Sequence, residues 1–166
     1  MLSMYEASVP VLKRALTNFS AVLKKGEDYA IAKKIDPSVL LTSRLFPNMH
    51  HLIRQVQIAT DMSKGAVARL AGVEIPKYDD AEVSFADLQA RIAKTIAFID
   101  SLKPEQFEGA QTRDIAFKAG SRDLAFSGQD YLLTWAIPNL YFHVTTGYNI
   151  LRHNGVELSK GDYLGS

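Results

Sequence analysis

The chain contains no cysteine. That one absence removes disulfides, thiol nucleophiles, zinc–thiolate sites and iron–sulfur clusters together. Excess charge is missing too. The 19 Lys and Arg stand against 18 Asp and Glu, a net +1, so nothing in the balance favours nucleic acid or an anionic membrane. No apolar run approaches the ~20 residues that cross a bilayer. The N-terminus has no basic segment followed by an apolar stretch, so no signal peptide is expected. No Gly-x-Ser-x-Gly elbow, Gly-rich phosphate loop or dinucleotide fingerprint occurs. What remains is an ordinary globular composition, 47% hydrophobic and 22% charged over 166 residues. It predicts one cytoplasmic, bacterial-type soluble domain over residues 1–166, long enough for a full core.

The most structured stretch is Gln129 to Gly155. It holds the only Trp, Trp135, and almost no charge before Arg152. Ser127 with Asp130 three residues on is a capping box, which predicts a helix starting near Gly128. Leu133, Ala136, Leu140, Val144, Gly147 and Leu151 recur at helical steps and predict the inner stripe. Asn154-Gly155 predicts the stop, with Arg152 and His153 complementing the negative end of the helix dipole. Pro138 falls inside the span and cannot donate to the Thr134 carbonyl, so a kink is expected there. A second stripe of Tyr131, Trp135, Phe142, Asn149 and His153 lies opposite. A helix apolar on both sides belongs at the centre of a bundle or against a second subunit. Tyr131, Trp135 and Phe142 are therefore the expected homodimer contacts.

Earlier in the chain, Ser3-x-x-Glu6 opens a first helix with Tyr5, Val9, Leu12, Leu16, Phe19 and Leu23 inward, ending near Lys24-Lys25-Gly26. Pro10 kinks it or marks a late start. A helical turn is expected after Asp36-Pro37. A second helix is predicted from about Pro47 to Ala71, closed by Gly72. Met49, Leu52, Val56, Ala59, Ser63, Val67 and Leu70 face inward, and His50, Arg54, Gln57, Asp61 and Lys64 face away. Ser84 with Asp87 opens a third helix with Phe85, Leu88, Ile92, Ile96, Ile99 and Leu102 inward, stopped by Pro104. Residues 113–127 switch to a two-residue period around Gly120 and predict a β-hairpin docked on the bundle. The tail after Gly155 reads as too short for an element of its own and is expected to fold over one end. The architecture is thus all-α: four long helices with a hairpin between the third and fourth. The long third connection can span the bundle, so simple up-down alternation is not required.

His143 lies between the two stripes. A neutral imidazole there suits a ligand, a general base or a buried hydrogen-bonding residue. Asn139 and Thr146, one turn away, are its expected partners in a pocket that also takes in Gln55. His50-His51 is the other imidazole cluster, with His51 on the border of the second helix beside Gln55. A metal set of His143, His51 and either Asp61 or His153 is conceivable, since zinc typically takes three protein ligands and water. His153 reads as a dipole partner.

The run from Pro138-Asn139-Leu140-Tyr141-Phe142-His143 to Arg152-His153-Asn154-Gly155-Val156 resembles an uncharacterised bacterial family within the DinB/YfiT-like four-helix bundles. Gln55-Val56-Gln57-Ile58-Ala59-Thr60-Asp61, Arg69-Leu70-Ala71-Gly72-Val73 and Gly161-Asp162-Tyr163-Leu164-Gly165 are similar to it as well. The tail departs in having Ser159-Lys160 where the pattern has Gly-Lys. The resemblance implies a DinB-like bundle, often dimeric. Many superfamily members bind a divalent metal, such as zinc or nickel, through a His on the second helix and a His-x-x-x-His pair on the fourth. Some use it for thiol transfer or isomerisation. Here His143 is followed four residues on by Gly147, which offers no ligand. Two readings follow: a dimeric bundle that binds a small molecule without a complete metal site or cofactor, and a metal-dependent enzyme of the superfamily type. Neither calls for a nucleic-acid or membrane partner.

Overall fold

The computed structural model describes residues 2–166. Helix α1 spans Met4–Lys33, capped by the reciprocal Ser3–Glu6 pair. It does not stop at Gly26. That glycine is buried in mid-helix, where an added Cβ would lie 2.9 Å from Leu151 Cδ2, so it permits close packing rather than ending the helix. The stop comes at Lys34, which takes the left-handed conformation (φ 54°). Asp36 caps the short α2, Pro37–Leu41, by accepting from the Ser38 N–H.

Helix α3 spans Leu52–Ala71, closed by left-handed Gly72. It begins later than the pattern suggested because His51 is its N-cap, with Nδ1 accepting from the Arg54 N–H at 3.3 Å. Residues before it form a loop. Helix α4 spans Phe85–Asp100 behind the Ser84–Asp87 capping box. The segment between them, 73–83, is an extended strap lying along α3. It covers the face predicted to point away: Gln57 and Lys64 are buried.

Strands β1, Asp114–Ala119, and β2, Arg122–Ser127, pair antiparallel with Phe117 opposite Leu124 and Ile115 opposite Phe126. Gly120 at φ 62° opens the two-residue turn. The last long helix, α5, opens as a turn at Gly128–Asp130 capped by Ser127. It widens into a π-helix over Tyr131–Ala136 and continues as an α-helix over Ile137–His153. The Ile137 N–H reaches back to the Leu132 carbonyl, so the break expected from Pro138 is absorbed as a π-helical turn just before it. The wider turn shifts the phase of the stripe. Leu132 is buried and Leu133, predicted inward, is 52% exposed. From Ala136 onward Leu140, Val144, Gly147 and Leu151 line the core as expected. The tail forms a five-residue helix, α6, at Lys160–Leu164, lying along α1 rather than over an end. Asn18 and Arg14 donate to the Tyr163 and Leu164 carbonyls, and Tyr163 Oη meets Thr145 Oγ1 at 2.8 Å.

Contacts fix the directions. Gly26 meets Leu151 and Phe19 meets Gly147, so α1 and α5 run parallel. Gln55 meets His143 and Arg69 meets Tyr131, so α3 and α5 are antiparallel. Thr60 meets Arg91, and Lys64 and Lys94 share the Tyr78 ring, so α3 and α4 run the same way. The strap, not the connection after α4, makes that return crossing.

Candidate functional site

His143 faces α3 from the middle of α5. Its Nδ1 lies 2.7 Å from Gln55 Oε1, and Gln55 Nε2 donates to the His50 carbonyl at 2.9 Å. The His50 carbonyl can only accept, so it fixes which end of the Gln55 amide faces the ring. Oε1 then accepts from His143, which places the imidazole proton on Nδ1 and leaves Nε2 with its lone pair. Every buried side-chain nitrogen and oxygen among the described residues has a partner. The unpaired Nε2 is therefore reachable by solvent. The Phe142 ring stands edge-on to the imidazole at 5.2 Å and is 59% exposed. Burial, followed by the nearby His50 and Arg54 charges, pushes the His143 pKa down to about 4, so the ring is neutral at neutral pH.

The expected partners of His143 serve their own helix instead. Asn139 donates to the Trp135 carbonyl at 2.7 Å and Thr146 to the Phe142 carbonyl at 2.7 Å. Of the residues gathered around His143 by sequence, Gln55 alone bonds to it. The conceivable metal set does not assemble. His51 spends Nδ1 on the α3 cap, and Asp61 is held at 2.9 Å by both Arg91 and Lys64. His153 is ten residues along α5 from His143, roughly 15 Å of helix. No group of three His, Asp or Glu side chains suited to an ion occurs among the described residues. Residues that hold one donor in place but bring no second or third beside it do not fit a divalent ion.

The proposed dimer contacts also separate. Tyr131 is 2% exposed, bonded to Arg69 and packed edge-on against Phe117 at 5.6 Å. Trp135 is partly buried, its ring 5.9 Å from both Phe117 and Phe126 of the hairpin. Phe142 is the one of the three left largely open.

A second polar centre went unread in the sequence. The Arg91 guanidinium, 1% exposed, donates to Thr60 Oγ1 (2.8 Å), Asp61 (2.9 Å), Glu82 (2.9 Å) and the Asp79 carbonyl (3.1 Å), and pairs with Asp80 (3.1 Å). Gln57 donates to Glu82, and Arg54 pairs with Asp80. Burial works to raise the Glu82 pKa, but the bonds from Arg91 and Gln57 outweigh it and hold the carboxyl below its ordinary value. Three cations and three carboxylates close on one another with no free group, the pattern of a structural network that pins the strap. Its signal was Arg91 itself, a charge beside the apolar Leu88–Ile92 stripe.

The chain matches, over residues 4–164, the family described as a domain of unknown function, DUF1993. It is a member of the DUF1993 family. A crystal structure of a DinB family member protein from Shewanella denitrificans, at 1.83 Å, is 43% identical to it. The likeness covers 98% of this chain and 92% of that one, with a TM-score of 0.89. No curated protein matches. This DUF1993 chain is thus an all-α DinB-like four-helix bundle with a small hairpin before its fourth helix. Among the described residues, no helix is long and apolar enough to cross a membrane.

Proposed function

We propose that this DUF1993 protein is a homodimeric binding protein that holds a small molecule against His143 without a complete metal site. The observation that carries the reading is the chain His50 carbonyl–Gln55 amide–His143 imidazole. It pre-organises one hydrogen-bond acceptor, Nε2, beside an open aromatic ring. Such a corner suits a ligand with an O–H or N–H donor on an apolar body, because the acceptor is already oriented and already neutral. The homodimer rests on the apolar side chains that α5 leaves exposed, Phe142 foremost.

Phenol, a hydroxyl on an apolar ring, is a suitable probe. In titrations followed by nitrogen NMR, the His143 Nε2 resonance should move while those of His50 and His153 stay put. Gln55→Leu, which frees the ring to rotate and change tautomer, should abolish the shift. An unmoved His143 resonance would sink the reading. Elemental analysis of untagged protein gives the competing outcome. One equivalent of zinc or nickel, lost in His143→Ala, would favour the metal-dependent enzyme.

A further inference from the structure

The hairpin presents an unpaired edge. Ala119 and Arg122 flank a two-residue turn, so they form a hydrogen-bonded pair, as do Phe117 with Leu124 and Ile115 with Phe126. The alternation turns the N–H and C=O groups of Asp114, Ala116 and Lys118 away from β2. No backbone or side-chain bond from outside the hairpin reaches those groups among the described residues. All three residues are exposed. Their side chains share the outer face, while Ile115 and Phe117 face the bundle.

The order of these three residues is self-complementary. If a second β1 is laid antiparallel with Ala116 opposite Ala116, then Asp114 of each copy faces Lys118 of the other. Each of the three residue pairs can exchange two N–H···O=C bonds. Two small alanines at the centre let the strands approach, and two cross-strand ion pairs close the ends. Lys118 has only a marginal partner inside its own hairpin, Asp123 at 4.0 Å, with both side chains largely exposed. The β2 edge has no such match: pairing about Ala125 would set Asp123 against Ser127, which is already engaged in capping α5. A β1-to-β2 contact would be heterologous and would leave a free edge at each end.

We propose that a second copy of this chain docks on the β1 edge, forming a two-fold, four-stranded sheet across the dimer. This rests on the homodimeric reading above for the existence of the dimer, and it adds the hairpin edge to the contact. The geometry is strand addition to an exposed sheet edge, with charge setting register and partner.

Sedimentation velocity of the full chain over a range of concentrations tests it, with far-ultraviolet circular dichroism and Trp135 emission confirming the fold of each variant. Asp114→Lys and Lys118→Glu each place like charges opposite one another, and each should raise the dimer dissociation constant about tenfold or more. The double variant D114K/K118E restores opposite charges in the same register and should recover most of the affinity. A dimer indifferent to both single changes overturns the proposal. A dimer lost in Phe142→Asp but retained in Asp114→Lys and Lys118→Glu overturns it while sparing the homodimer itself. A wild-type chain that stays monomeric at millimolar concentration overturns both.

Discussion

Gly147 lies against the edge of the Phe19 ring, and a Cβ added at 147 would overlap Phe19 Cζ and Cε2. This is the position, four residues after His143, where a metal-binding pair would carry its second imidazole. A ring from α1 fills that space. Phe19 is fully buried and α1 is held on three sides, so the ring has little room to give. Gly147→Ala should lower stability by about 1–3 kcal/mol through overpacking, and Gly147→His should lower it further without creating zinc affinity. Urea unfolding with and without zinc checks both. A stable Gly147→His variant whose midpoint rises with zinc would show that Phe19 can step aside.

His143 gives a pH signature. Burial holds its pKa at about 4 in the folded chain, against an ordinary value of 6.5. The unfolded chain therefore binds the proton first as pH falls. The stability contributed by keeping this ring neutral is fully present above pH 6.5, drains away between pH 6.5 and about 4, and is lost below. Replacing His143 by Gln should flatten stability against pH in that window, measured as the difference from the parent so that shared carboxylate titrations cancel. Gln55→Glu should do the opposite to the ring: a carboxylate on Nδ1–H favours the imidazolium and raises the His143 pKa. Carbon-bound imidazole proton shifts followed by NMR report it. A His143 that titrates near 6.5 in the parent would contradict the burial on which the expectation rests.

Much of the scaffold was legible because its signals are local. Ser3, Ser84 and Ser127 cap from their own sequence neighbourhoods, Gly72 ends α3 for a conformational reason, and the 113–127 alternation is a two-residue rhythm that only a strand satisfies. What failed depended on distant partners. Gly26 reads as a stop until Leu151 is seen against it. His51 reads as helical until its ring caps the helix. Leu133 and Leu132 cannot be told apart without the π-helical turn that moves the phase between them. In the candidate site, His143 was visible as a lone imidazole between two stripes. Gln55, 88 positions earlier in the chain, is placed in the same pocket by its position on the border of the second helix, but helical periodicity names only the same-helix neighbours Asn139 and Thr146 as bonding partners.

The Arg91 network sets how firmly the strap is tied. With its guanidinium 1% exposed and ringed by Asp61, Asp80 and Glu82, removing it leaves carboxylates without their shared cation. Arg91→Ala should cost about 3–5 kcal/mol, the usual result of breaking a buried ion cluster from one side. Asp80→Asn should cost less than about 1 kcal/mol, because Asp80 is 41% exposed and water can replace its contacts. Denaturant melts give both values, and proteolytic cleavage within residues 73–83 should quicken selectively in the first variant. Equal costs for the two changes would mean that Arg91 is not the centre of the network.

Trp135 ties the hairpin to the bundle. Its indole, Phe117 and Phe126 stand within 5.9–6.2 Å of one another, and Arg69 lies over Phe117 at 4.4 Å. An isolated two-stranded hairpin is marginal in water, so strands β1 and β2 owe their order to this aromatic cluster and to buried Ile115. Sequence periodicity casts Trp135 as a contact for a second subunit. In the fold it is already packed on the hairpin of its own chain. Trp135→Asp should therefore release the hairpin first, with amide exchange over residues 114–127 rising by orders of magnitude while the core of α3, around Val67, stays protected. Trp135→Phe keeps an aromatic ring in place and should hold the hairpin with a loss of about 1–2 kcal/mol. The decisive measurement is residue-resolved hydrogen exchange on the two variants at one protein concentration. Uniformly faster exchange across hairpin and helices in Trp135→Asp would mean that the cluster supports the whole bundle rather than the hairpin it covers.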